Sequence, residues 1–77
     1  MTNSTVLDVR QIPPDERHPG IIIKAFESLR SGEVLTIIND HDPQRLRELF
    51  DSQRQGQFSW ETLEQGPPTW RVRLTKA

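Results

Sequence analysis

The chain holds two histidines, and each stands just ahead of a proline: His18 directly before Pro19, and His41 one residue before Asp42-Pro43. Proline is favoured as the first residue of a helix, because the N–H it lacks would be unpaired there anyway. Both imidazoles are therefore expected at helix starts, with Glu16 and Arg17 beside the first and Asp40 and Asp42 beside the second. Added positive charge is disfavoured at a helix N-terminus, and neutral imidazole is the form that ligates a metal or accepts a hydrogen bond. Two histidines with a carboxylate make a recognised ligand set for iron or zinc. Glu16, Arg17, His18, Asp40, His41 and Asp42 form the candidate functional edge, with His18 and His41 as candidate metal ligands and iron or zinc as the cofactor they would suit. The sequence requires neither metal: the spacing is not diagnostic, and no HExxH pattern is present. The plainer alternative makes His18 and Asp42 helix caps and His41 a locally bonded loop residue. Aspartate is a common cap and histidine is not, so that alternative accounts for Asp42 better than for His18.

Other chemistry is scarcer. There is no cysteine, which removes disulfides, thiolate metal sites and thiol nucleophiles together. Arg10, Arg17, Arg71 and Arg73 could gather around an anion at the two helix starts; alternatively Arg71 and Arg73 line the solvent face of the last strand and pair with Glu61. Trp60 and Trp70 could stack on a ligand, but their alternation with apolar neighbours places them in the core, which large aromatics dominate in a small domain. Glu61 and Glu64 lack the desolvating surroundings of a paired acid and base.

The elements that must position these residues follow from pattern. Val6–Val9 reads as a short strand, and Pro13-Pro14 forces a loop after it. Ile22, Ala25, Phe26 and Leu29 repeat at helical spacing from Pro19 onward, with Gly32 as a stop. Val34–Ile38 is an apolar, β-branched run fit for a central strand. A second helix is expected from Pro43, capped by Asp42, with Leu46, Leu49 and Phe50 inward and Gly56 ending it. Phe58–Leu63 and Trp70–Leu74 alternate as two strands joined as a hairpin by the Gln65-Gly66-Pro67-Pro68 turn. The phase puts Trp60 and Trp70 on one sheet face and Glu61 and Arg73 on the other.

The order βαβαββ predicts an α/β two-layer sandwich: a four-stranded mixed sheet with both helices on one face. Strand–helix–strand units are right-handed with parallel strands. Both strand-to-helix loops then leave the same sheet edge, where open α/β sheets bind ligands. That connectivity brings His18 and His41 to one place.

At 77 residues the chain is one domain, expected over residues 6–75 with a disordered N-terminus at 1–5. Acids and bases are mixed and the formal net charge is −1, so no basic block marks a nucleic-acid partner. The longest apolar run, Ile21–Ile23, is too short for a bilayer, and no signal peptide is visible. The expected setting is the cytoplasm.

This layout resembles the TusA/SirA sulfur carriers, in which a Cys-Pro pair opens the first helix of a βαβαββ sandwich. Leu7-Asp8-Val9-Arg10 and His18-Pro19 match that layout, with His18 in the place of the sulfur-carrying cysteine, and Asp40-His41-Asp42-Pro43 falls where those carriers have Asp-Pro. The closer resemblance is to a sister domain family of unknown function, marked by Glu16-Arg17-His18-Pro19, Asn39-Asp40-His41-Asp42-Pro43, Phe58-Ser59-Trp60-Glu61 and Trp70-Arg71-Val72-Arg73. The resemblance implies a protein partner, hemerythrin-like or another redox protein. It does not carry sulfur transfer with it, because the thiolate is the acceptor in that chemistry and this chain has none. Three functions stay open: a non-catalytic binding or adaptor module, a metal- or cofactor-handling protein using His18 and His41, and an acid–base enzyme with His18 as base. The last fares worst, since so thin a domain hardly encloses a pocket.

Overall fold

The computed structural model describes residues 4–77. Four strands and two helices follow in the order β1 (Ser4–Asp8), α1 (Pro19–Glu27), β2 (Val34–Asn39), α2 (Gln44–Gln53), β3 (Phe58–Glu64) and β4 (Trp70–Lys76). The sheet order is β1-β2-β4-β3, parallel between β1 and β2 and antiparallel elsewhere. This is the expected mixed sheet, and the hairpin folds back so that its second strand, not its first, pairs with β2.

One sheet face carries both helices. Leu35 and Ile37 of β2 and Val72 and Leu74 of β4 alternate inward and are buried against Ile22, Phe26 and Leu29 from the first helical segment and Leu46 and Phe50 from the second. Phe50 sits at the centre, edge-on to Phe26 at 5.2 Å and to Phe58 at 5.3 Å between ring centroids. Edge-to-face geometry is the arrangement aromatic quadrupoles prefer. The opposite sheet face is open: Val6 there is 62% exposed, Arg73 is bonded to Glu61, and Arg71 lies 3.9 Å from Glu64.

The element ends depart from the sequence reading where a specific contact overrides local pattern. β1 begins at Ser4, because Ser4 and Thr5 pair with Val34 and Leu35, so two of the residues assigned to a loose tail belong to the sheet; residues 1–3 lie outside the described residues. β1 stops at Asp8, whose side chain accepts from the Arg10 N–H and starts a 3-10 turn over Val9–Gln11. α1 ends at Glu27, a turn before Gly32. The Lys76 ammonium reaches across from β4 to the carbonyls of Phe26, Glu27 and Leu29, at 3.4, 3.2 and 2.8 Å. A cation there complements the negative end of the helix dipole. α2 starts one residue later than expected: Pro43 occupies the cap position and no side chain caps the helix, so Asp42 does not serve as its cap. Among the described residues, no helix is long and apolar enough to cross a membrane.

Candidate functional site

Where β1 and β2 end, the chain must turn out of the sheet twice, and both turns lead into helix starts. Between them lies a groove of about 520 Å³. Ile12, Ile21, Ile22, Leu46 and Leu49 supply its apolar walls. His18, the cap-position residue of α1, lines it without capping the helix through its side chain. His41 lines it too, with its Nδ1 2.5 Å from the Asp40 carboxylate. The parallel connection thus brings both histidines to one groove. Of the remaining edge residues, Arg17 and Asp42 line the groove, whereas Glu16, exposed in a 3-10 turn over Pro14–Glu16, and Asp40 do not.

Arg17 holds this edge together. Its side chain is 16% exposed. Its Nε donates to the Ile12 carbonyl at 2.7 Å, its Nη2 to the Arg10 carbonyl at 3.4 Å, and its Nη1 to both Asp40 oxygens at 3.1 and 3.3 Å. One planar fork therefore ties the loop after β1 to the end of β2, a task suited to guanidinium geometry. Burial acts to raise the Asp40 carboxyl, but the charge and hydrogen bond of Arg17, with His41 adding to them, bring it below its ordinary value.

The four arginines considered as an anion site are not pooled. Arg10 is bonded to Asp8, Arg17 to Asp40, Arg71 stands by Glu64 and Arg73 is bonded to Glu61. The Arg10 side chain donates from Nε and Nη2 to the two Asp8 oxygens at 2.9 and 2.8 Å. That hydrogen bonding, against some desolvation, holds the Asp8 carboxyl down at about 2. A depressed folded value means that the pair stabilises fully above the unfolded value of about 3.9 and loses its effect as pH falls through about 2. A carboxyl-carbon NMR titration should place the Asp8 midpoint near the lower figure, and Arg10→Gln should return it toward the unfolded value. A wild-type midpoint near 4 would rule the pairing out in solution.

Trp60 and Trp70 share the helix-side face, as their phase requires, but both are half-buried rather than core. They wall a smaller groove of about 240 Å³ beside α2, with the Arg47 guanidinium 5.7 Å from the Trp60 ring centroid.

Two further features bear on chemistry. Among the described residues, no three His, Asp or Glu side chains stand together so as to hold a metal ion; a two-histidine, one-carboxylate set is therefore not assembled here. And Asn39, which the sequence reading passed over, is 8% exposed and lines the groove floor. Its signal was present in the pattern: Asn39 takes the inward phase of Leu35 and Ile37, where an apolar residue would continue the strand.

A small α/β domain with a ligand-sized groove at its strand ends is the class that fold and site define. The family model described as Uncharacterized conserved protein (DUF2249) matches residues 6–76, and the chain belongs to that family. Neither the curated proteins nor the solved structures provide a match.

Proposed function

We propose that this chain is a non-catalytic binding module that recognises a protein partner through the groove at the carboxyl ends of β1 and β2. The observation that carries the reading is the groove itself: apolar walls, with Arg17, His18, His41 and Asp42 at its polar margin. Binding sites combine apolar lining with a few convergent polar groups in this way. The resemblance to TusA/SirA carriers supports the choice of edge, since those carriers present their thiolate at the start of the first helix; here His18 stands in that place, and the chain has no cysteine to carry sulfur. The same resemblance supports a hemerythrin-like or other redox protein as the partner.

The test is chemical-shift mapping on the nitrogen-15-labelled protein, titrated with a purified hemerythrin-like protein. Saturable shifts confined to Ile12, Arg17, His18, Ile21, His41 and Leu49 are the expected result. Shifts confined to the open sheet face, or none in the groove at saturating partner, would overturn the reading.

A further inference from the structure

The floor of the groove holds an amide whose NH₂ group meets no acceptor among the described residues. Asn39 is more than nine-tenths buried. Its Oδ1 accepts from the Asp40 N–H at 2.8 Å, while its side-chain nitrogen has no hydrogen-bond partner among the described residues. No sealed side-chain polar atom in those residues lacks a partner, so the Asn39 amide opens on the groove that it lines. An amide donor that no protein group satisfies is left for an acceptor from a ligand.

Two other features of the groove favour an acceptor with negative charge. The first turns of both helices meet it, and neither is capped by a side chain; the Ile21 N–H of α1 donates to the His18 carbonyl, so the first N–H groups of α2 are the ones that lack intrahelical acceptors. The positive ends of both helix dipoles face the same space. Arg45 lines it with no carboxylate partner among the described residues.

We propose that the groove binds a carboxylate borne on an apolar segment of a partner protein, with the Asn39 amide and the uncapped first turn of α2 receiving the carboxylate and Ile12, Ile21 and Leu49 receiving the flanking apolar side chains. The proposal rests on reading this edge as the binding surface and adds the chemistry of what occupies it. A chain segment suits the shape better than a small free acid. Small ligands are usually buried over most of their surface, whereas His18, Ile21, His41, Gln44 and Arg45 at the margin are all exposed, leaving the trough open for a chain to enter and leave.

The experiment uses the labelled full chain and three probes: an acetylated, amidated Gly-Leu-Ile-Glu-Leu-Gly peptide, the same peptide with Gln for Glu, and octanoate. The Glu peptide should move the Asn39 side-chain NH₂ pair and the Gln44 and Arg45 N–H signals, and should bind about tenfold tighter than the Gln peptide, as loss of a charge-assisted hydrogen bond implies. Asn39→Leu should abolish that preference while keeping residual apolar binding. Asn39→Asp, which keeps the size and reverses the polarity, should weaken the Glu peptide more than the Gln peptide, and thermal melting of each variant separates lost binding from lost fold. Equal binding of the Glu and Gln peptides within the groove overturns the carboxylate while the binding-surface reading stands. Octanoate binding tighter than the Glu peptide assigns the groove to a small apolar acid and overturns the protein segment. No shift in the groove with any probe at millimolar concentration overturns the proposal outright.

Discussion

Phe50→Ala is expected to cost about 3–5 kcal/mol of folding stability, the ordinary range for removing a buried phenylalanine ring and leaving a cavity. Phe50 is fully buried, and its ring touches Phe26 of α1 on one side and Phe58 of β3 on the other. It is therefore the side chain through which both helices and the sheet share one core. At about 0.05–0.15 kcal/mol per residue, a domain of this length has only about 4–12 kcal/mol to lose. No disulfide supplements it, since the chain has no cysteine. The variant should be partly unfolded at ambient temperature, with a urea midpoint shifted sharply down and little change in slope. Leu49→Ala, at a half-buried position on the same helix, should cost clearly less. A loss under about 1 kcal/mol for Phe50→Ala would mean that the aromatic cluster does not hold the layers together.

The same residues explain why so much of the fold was legible. Ile22, Phe26 and Leu29, and Leu46 and Phe50, repeat at helical spacing, and all five are buried. Trp70, Val72 and Leu74 alternate at strand spacing and share one face. These are local periodicities, and a helix or strand with one apolar face has few ways to bury it. What the sequence concealed depends on partners far along the chain. Lys76 reads as an ordinary tail lysine until β4 lies beside the end of α1, almost fifty residues earlier. The Asp42 cap failed because Pro43 took the cap position itself. Asp40 and Glu16 were grouped with His18 and His41 by proximity in sequence, yet neither lines the groove. The pairing of both histidines with one groove was legible because it follows from connectivity alone, as parallel strands put their exits on one edge. The pairing of Arg73 with Glu61, the alternative to an anion site, is legible because facing strands set their outward residues opposite one another, whereas Arg17 and Asp40, 23 residues apart, carry no such signal.

Arg17→Ala should be the most damaging change at the candidate site that leaves the apolar core untouched. Two backbone carbonyls and one carboxylate take hydrogen bonds from this single guanidinium. Removing a largely buried charged donor leaves those acceptors to be satisfied by water that must enter the loop, at a cost of about 2–3 kcal/mol. The damage should be local as well as global. The link between the loop after β1 and the end of β2 runs through Arg17 to Asp40, so amide exchange should accelerate at Arg10, Ile12 and Asp40 more than in β4. Arg17→Lys should recover less than half of the stability, because an ammonium lacks the fork that meets separate acceptors in one plane. The pH dependence has a definite sign. The Asp40 carboxyl is held below its ordinary value, so the link is at full strength above about 3.9 and is lost as pH falls beneath that value. The gap between wild type and Arg17→Ala should therefore narrow in acid, while the gap between wild type and Leu49→Ala should not. If urea denaturation at neutral pH puts Arg17→Ala within about 0.5 kcal/mol of wild type, the range of ordinary surface substitutions, the guanidinium does not hold this edge, and the groove owes its shape to the apolar walls alone.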